Sequence, residues 1–197
     1  PTIPRVIRVS ERIITSTTKE AEAFYKKALA LGFEGVMMKQ LEGIYKPGAR
    51  VGYGVKVKPT METLDCVIVG AEWGEGKRSE WLASFTIAVS DGENLVEIGK
   101  VGTGIKEKPE EGLSFQELTE ELQKHITKKE GRSVIVNPTV VLEIGYEEIQ
   151  QSPSYSSGYA LRFPRVIRLR EDKGVDELST LDDVKTLHDH QRGRGKK

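Results

Sequence analysis

The spacing of apolar residues changes near Pro59, and this change divides the chain into two parts that are predicted to fold differently. In the first part, apolar side chains at helical spacing predict a helix that begins at a capping box of Thr17 and Glu20 and ends at Gly32. Short apolar or alternating runs predict three strands, at residues 3–14, 36–38 and 55–58.

After Pro59, short apolar runs alternate with glycine-rich turns. The runs predict strands at residues 64–69, 81–89, 95–101, 134–149 and 166–170. A second capping box, formed by Ser114 and Glu117, predicts a helix that extends to about His125. Several short strands with one inserted helix indicate a small Greek-key barrel of the OB type.

Near the end of the chain, Leu181, Val184 and Leu187 form an amphipathic stripe that predicts a short C-terminal helix. This helix either packs on the barrel or bridges to the part of the chain that precedes the barrel. The basic tail at residues 192–197 is predicted to be disordered.

Composition bounds the class of protein. Apolar residues make up 37% of the chain, which is enough for a core, and 30% of the residues are charged. No run of about 18 apolar residues occurs, so we expect no transmembrane helix. The start at Pro1 has no secretory pattern, and the one cysteine, Cys66, lies in an apolar run as a buried thiol would. We therefore expect a cytoplasmic protein, and abundant Glu and Lys with few Met favours a thermophile.

Thirty basic and thirty acidic residues give a net charge of zero, which argues weakly against a dedicated nucleic-acid binder. The distribution of charge is more informative than its sum. Basic residues concentrate at residues 46–58, 162–173 and 192–197, so a neutral chain can still present basic faces.

Two short motifs in the first part could bind phosphate or metal. Lys56 and Lys58 alternate with Val55 and Val57, so their ammonium groups project from one face of a strand, where they could bind a phosphate, and the valines are expected to pack behind them. Glu34 precedes Gly35 at the start of a predicted strand, where a carboxylate could reach a divalent metal ion. Taken alone, each motif is more typical of a solvated strand face or an exposed turn than of a binding site.

The third motif is the arginine-rich element at residues 162–173. Residues 168, 170 and 172 share strand parity, and Ile167 and Leu169 are expected to pack behind them. Guanidinium groups at this density repel one another unless anions lie among them. Polyphosphate or a nucleic-acid backbone could supply those anions, and a structural ion-pair network is the alternative. The charged members of the element are Arg162, Arg165, Arg168, Arg170, Asp172 and Lys173.

The order and spacing of these motifs resemble the last three signature motifs of ATP-dependent DNA ligases of the archaeal and eukaryotic replicative type. The matching strings are E-G-x-x-x-K from residue 34, K-x-K from residue 56 and R-F-P-R-x-x-R-x-R-x-D-K from residue 162. The resemblance implies an α+β chain in three parts. These are the end of a nucleotidyltransferase (adenylation) domain at 1–58, an OB-fold domain at 59–178, and a C-terminal helix with a basic tail at 179–197.

The resemblance also implies a mechanism in which ATP adenylates a lysine, AMP moves to the 5′-phosphate of a nick, and the 3′-hydroxyl displaces AMP. By similarity, Glu34 places Mg²⁺, Lys56 and Lys58 act in catalysis at the phosphates, and Asp172 and Lys173 orient the departing pyrophosphate. Phosphate contacts are further implied for Lys39, Arg162, Arg165, Arg168 and Arg170. The segment at 58–62 is expected to be the hinge about which the barrel rotates.

The adenylated lysine of this family lies in a K-x-D-G motif, and this chain contains none. We therefore expect a chain that is inactive alone and that is a fragment or a processed product, since it also begins without Met. Its expected partners are nicked duplex DNA and the amino-terminal DNA-binding and adenylation segments of the same enzyme. A sliding clamp is a further candidate, and no membrane is expected. The resemblance places such an enzyme in replication, repair and recombination at the nucleoid.

Two other functional classes compete with this interpretation. RNA ligases and mRNA-capping guanylyltransferases share the K-x-K and carboxylate motifs, but the complete arginine-rich string favours a DNA ligase. A non-catalytic OB module that binds single strands would need aromatic stacking platforms. The aromatic residues here are scattered, in positions that core packing explains.

Overall fold

The computed structural model describes residues 9–44, 47–48, 52–59, 62–107 and 109–191. The chain separates into two compact units, residues 1–60 and residues 61–197, and each is described by itself. Parts of three predicted features lie outside the described residues. These are residues 3–8 of the first predicted strand, Thr60 and Met61 of the predicted hinge, and the tail at 192–197.

The first unit contains helix α1, Thr18–Ala30, which begins and ends where the sequence predicts. The Thr17 side chain caps it by accepting a bond from the Glu20 backbone N–H at 3.4 Å. The capping box is half formed, because the Glu20 carboxylate accepts from the Thr15 hydroxyl instead of the Thr17 backbone. The strand predicted at 3–14 is wrong over residues 9–14, where both parities of side chain are exposed and no strand forms.

The remaining elements of the first unit are strands β1, Val36–Lys39, and β2, Gly54–Val57, which form an antiparallel ribbon. Val36 lies opposite Val57, and Met37 lies opposite Lys56. The sequence predicts that Val55 packs behind the lysines, but 54% of its surface is exposed. The expectation fails because, within the described residues of this unit, no layer covers that face of the ribbon.

In its described residues, the second unit contains nine strands that belong largely to one antiparallel sheet. They are β3 Leu64–Trp73, β4 Leu82–Ser90, β5 Leu95–Val101, β6 Ile126–Glu130, β7 Ser133–Val136, β8 Val141–Gly145, β9 Glu148–Gln151, β10 Tyr159–Arg162 and β11 Arg165–Leu169. The main path runs β11-β8-β3-β4-β5, with β7 added to β3 and β6 added to β7. A separate antiparallel pair joins β9 to β10.

The two ends of this path meet, so the sheet closes into a barrel. The Val166 N–H donates to the Thr103 carbonyl at 2.9 Å, and the Thr103 hydroxyl donates to the Pro164 carbonyl at 2.7 Å. Gly104 follows with φ +87, and a Cβ there would lie 2.1 Å from the Val166 carbonyl oxygen. The closed order of β3, β4, β5, β11 and β8 is the Greek-key path of an OB fold, which confirms the predicted fold class.

Two helices complete the barrel unit. Helix α2, Phe115–Gln123, lies between β5 and β6 and begins at the predicted capping box, in which both bonds between Ser114 and Glu117 form. Its apolar face packs into the core, where Phe115, Leu118 and Leu122 are buried.

The one cysteine, Cys66 in strand β3, is buried as a free thiol, and burial raises the pKa of this thiol.

Helix α3, Leu181–His190, begins at a third capping box, between Thr180 and Asp183. Val184 is fully buried in the barrel core, and the Gln191 side chain accepts a bond from the Ile149 N–H at 2.9 Å. The helix therefore packs on the barrel, which is the first of the two predicted alternatives. It belongs to the same compact unit as the barrel, residues 61–197. Within the described residues, no helix has the length and apolar character that crossing a membrane requires.

Because Gly104 closes the barrel at a left-handed φ, Gly104→Ala should destabilise the 197-residue chain strongly. We expect a loss of about 3 kcal/mol or more, from backbone strain together with the clash against Val166. Gly131→Ala is the matched control, since Gly131 also has positive φ but a Cβ at that position would have no atom within 4 Å. Urea unfolding measures both, and equal losses in the two variants would contradict the closure argument.

Candidate functional site

In the first unit, Gly35 brings the two short motifs together. It has φ +144, and a Cβ there would lie 2.1 Å from the Val57 carbonyl oxygen, so only glycine permits this approach to the end of β2. As a result, the Glu34 carboxylate lies 3.9 Å from the Lys58 ammonium. Residues separated by more than twenty positions in sequence thus form one acid–base cluster.

The lysines of the ribbon add positive charge beside this cluster. Lys56 lies opposite Met37, and Lys39 lies opposite Gly54, so alternation places Lys39 and Lys56 on one face of the ribbon. No group of three or more metal-binding side chains occurs among the described residues. Glu34 could therefore hold a divalent ion only together with other oxygens, such as phosphate or water, which is the usual coordination of Mg²⁺.

In the barrel, the arginine-rich strand β11 contains a bulge between Val166 and Arg168. The bulge turns Ile167 outward, where it is 49% exposed, so the expectation that Ile167 packs behind the arginines is wrong. Val166 is buried instead. The bulge was not visible in the sequence because it depends on the register with β8.

Three arginines of the element at residues 162–173 have carboxylate partners within the barrel. Arg168 donates to Glu143 at 2.6 Å, and Arg162 lies 3.4 Å from Glu148. Arg170 donates to Asp65 at 2.9 Å and to both oxygens of Asp172 at 2.9 and 2.8 Å. Lys173 donates to the other oxygen of Asp65 at 2.8 Å. The anions that lie among these cations are therefore protein carboxylates. This is the structural ion-pair network that the sequence left open as an alternative to bound phosphate.

The cations of residues 162–173 differ in how exposed they are and in how many of their N–H donors are already bonded. Arg170 is 12% exposed and uses three of its nitrogens in the bonds to Asp65 and Asp172. Arg168 has a largely exposed side chain and bonds Glu143 through Nε. Arg165 is exposed and has no ion-pair partner in the described part of the chain. Additional anions could therefore bind at Arg165, Arg168 and Lys173 more readily than at Arg170.

Ion pairing changes the acidity of the carboxylates. The hydrogen bonds from Arg170 hold the pKa of Asp172 well below its ordinary value, and they raise the pKa of Arg170 in return. The bond from Arg168, assisted by the Thr63 hydroxyl at 2.8 Å, lowers the pKa of Glu143. These carboxylates are ionised at neutral pH, so the hydrogen bonds are charge-assisted.

Sequence reasoning does not identify Asp65 and Glu143 as members of the site. The apolar pattern places Asp65 within the buried strand 64–69 and assigns no role to its charge. A carboxylate inside an apolar strand is seldom buried without a partner, so its position is a usable signal. Its partners lie more than one hundred residues further along the chain, and only the fold identifies them.

A lysine-rich ribbon followed by an OB barrel with an arginine-rich strand is the arrangement of a nucleotidyltransferase. Family models match both units: "ATP dependent DNA ligase domain" matches residues 1–58, and "ATP dependent DNA ligase C terminal region" matches residues 78–173. The chain belongs to the family of ATP-dependent DNA ligases.

Relatives support the same assignment. The chain is 55% identical over 191 residues to a DNA ligase of Nanoarchaeum equitans, an alignment that covers 95% of this chain and 34% of the relative. It is 49% identical over 191 residues to a DNA ligase of Methanocaldococcus jannaschii, covering 96% of this chain and 32% of the relative. The chain thus spans about a third of the length of these curated relatives.

A solved structure shows a similar arrangement. The ligase domain from M. tuberculosis LigD matches with a TM-score of 0.52 and 27% sequence identity, over 79% of this chain and 50% of that chain. The predicted α+β fold class is consistent with this likeness as well as with the barrel topology.

The lowered pKa of Glu143 predicts a pH-dependent contribution to stability. A carboxyl whose pKa is lower in the folded state stabilises the fold above its ordinary pKa of 4.5, and this contribution is lost as pH falls below that value. At pH 7, Glu143→Gln should lower the free energy of unfolding by ~1–2 kcal/mol, and the difference from wild type should shrink toward pH 3. Denaturant unfolding at several pH values measures this, and a difference that grows on acidification would refute the assignment.

Proposed function

We propose that this chain is the carboxy-terminal part of an ATP-dependent DNA ligase. The enzyme seals nicks in duplex DNA through an enzyme-lysine–AMP intermediate and an AMP–DNA intermediate. Family membership supports the reaction class. The observation that carries the proposal is the close approach at Gly35, which joins the carboxylate of Glu34 to the second lysine of the K-x-K motif.

In this proposal, the first unit binds the nucleotide's phosphates. All three chemical steps are phosphoryl transfers, in which catalysis consists mainly of positioning the reactants and stabilising charge. Lys56 and Lys58 contact the reacting phosphate, and Lys39 adds positive charge from the same face as Lys56. Glu34 contributes one ligand to Mg²⁺, and phosphate oxygens and water supply the others.

The barrel contributes the second set of cations. We assign phosphate contacts to Arg165, Arg168 and Lys173, which keep exposure or spare donors, with Arg162 at the rim of the set. Arg170 is assigned mainly to holding Asp172 and Asp65, because it bonds them through three nitrogens and is only 12% exposed. Asp172 and Lys173, which follow the end of β11, orient pyrophosphate as it leaves. The barrel turns about the segment at 58–62 to present this strand to ATP and then another face to DNA.

Nicked DNA is the proposed substrate, and the contacts are mainly with backbone phosphates across the minor groove, so binding depends on salt more than on sequence. The DNA-binding and adenylation segments of the same enzyme are the proposed intramolecular partners, and a sliding clamp is a proposed external one. Such an enzyme acts in replication, repair and recombination at the nucleoid of the cytoplasm. A thermophilic source fits the composition.

The chain by itself should not become adenylated, because its sequence has no K-x-D-G motif. Incubation of residues 1–197 with Mg²⁺ and ATP labelled in the α-phosphate should leave the protein unlabelled on a denaturing gel. The full-length enzyme serves as the positive control. Covalent label on the chain that is stable to alkali and released by acid, as a lysine phosphoramidate is, would refute this part of the proposal.

In the full-length enzyme, Lys173→Ala should slow self-adenylation by about tenfold or more, because an ammonium that steadies pyrophosphate is lost. Sealing of a pre-adenylated nick should change much less, since no pyrophosphate leaves in that step. Lys129→Ala, on the exposed strand β6, is the control for loss of a surface lysine. Equal losses in both steps would contradict the role assigned to Lys173.

A further inference from the structure

All four polar atoms of Asp65 form hydrogen bonds with one segment of the chain, residues 170–179. One carboxylate oxygen accepts from Arg170 at 2.9 Å, and the other accepts from Lys173 at 2.8 Å. Its backbone N–H donates to the Ser179 hydroxyl at 3.0 Å, and its carbonyl accepts from the Ser179 N–H at 3.0 Å. Asp65 therefore holds both ends of the segment that follows β11.

The position of Asp65 in the barrel makes this contact rigid. It lies near the start of β3, four residues after Met61, where the barrel unit begins. Its side chain is 15% exposed, so water competes weakly for the carboxylate. Behind the segment, Leu178 packs against Val67 and Val141, which closes a small apolar cluster on the outer face of the sheet.

The charge arrangement also requires partners for Asp65. In the register of β3 and β8, Asp65 lies directly opposite Glu143. Two like charges at directly opposed positions destabilise a sheet unless they are neutralised. Arg168 pairs with Glu143, whereas Arg170 is shared between Asp65 and Asp172. Lys173 therefore completes the neutralisation of Asp65, and the same bond fixes the place of its ammonium group.

Lys173 is the member of this network that can bind something else. Its side chain is 27% exposed, and Asp65 is its one side-chain acceptor among the described residues. An ammonium carries three donors, so two remain for a phosphate oxygen while the bond to Asp65 persists. Arg170, in contrast, is only 12% exposed, so a new ligand has less access to its two remaining N–H donors.

We propose that Asp65 is a positioning residue for the adenylation step. It holds the Lys173 ammonium at a fixed point beyond the end of β11, with donors directed to pyrophosphate, and it acts on the reaction through Lys173 alone. This inference rests on the proposed function and deepens it, because it names the group that places the lysine. Preorganisation of a charged donor is the physical source of the effect, since a lysine side chain otherwise loses rotamer entropy on binding.

Asp65→Asn tests the proposal in the full-length enzyme, because the amide keeps the shape and one acceptor but loses the charge that holds the ammonium. We expect self-adenylation to slow on the order of tenfold, with little change in sealing of a pre-adenylated nick. Glu72→Gln is the matched control. It removes a carboxylate on the same strand that pairs with Lys100 at 2.5 Å, and it should change neither step.

A double-variant cycle separates positioning from a structural role. In the Lys173→Ala background, Asp65→Asn should have no further effect on self-adenylation, because the group it positions is gone. A general weakening of the barrel would lower both steps and would persist in that background. Thermal unfolding of the 197-residue chain with each single substitution records the structural cost independently of activity.

The outcomes distinguish the two levels of the proposal. If Lys173→Ala slows self-adenylation but Asp65→Asn does not, or if Asp65→Asn still slows it in the Lys173→Ala background, the positioning role is overturned and the proposed function stands. If Lys173→Ala itself leaves self-adenylation unchanged, the role of Lys173 in the proposed function fails, and the positioning role fails with it.

Discussion

The barrel's arginine-rich strand depends on carboxylates that neutralise it from within. Without Asp65 and Glu143, the cations at 168, 170 and 173 would repel one another across one small face of the sheet. Asp65 and Glu143 lie directly opposite each other in the register of β3 and β8, so they would repel each other without the cations. Each set of charges therefore stabilises the other. This mutual requirement explains how a chain of zero net charge can carry a concentrated cluster of cations.

Two close backbone approaches, at Gly35 and Gly104, bring the charged motifs into position. Gly104 lets the barrel close at Val166, between the two arginines of β11, and Gly35 lets Glu34 reach Lys58 in the first unit. In both places a side chain would meet a carbonyl oxygen at 2.1 Å, so the backbone could not follow the same path. The functional roles that we propose for both clusters therefore depend on positions that carry no functional group.

Local signals in the sequence are sufficient to predict much of the fold. The Ser114 capping box, the Gly32 stop and the β4–β5 hairpin follow from residues within a few positions of one another, and all form as predicted. Strands β6 and β10 escape prediction because β6 is mostly charged and exposed and β10 has only four residues. The outward turn of Ile167 and the partners of Asp65 escape it too, since both depend on strand register between distant segments. The cations of the candidate site, together with Glu34 and Asp172, are thus predictable, whereas the partner carboxylates Asp65 and Glu143 are not.

In the proposed function, pyrophosphate binds just beyond the end of β11, where Asp65 holds Lys173. Reversal of self-adenylation tests this most directly, because pyrophosphate is then the substrate that attacks the enzyme–AMP adduct. The measurement is the rate at which the adenylated full-length enzyme forms ATP as pyrophosphate is titrated, with wild type beside Asp65→Asn. We expect the variant to need a several-fold higher pyrophosphate concentration for half-maximal ATP formation. An unchanged half-maximal concentration would contradict it.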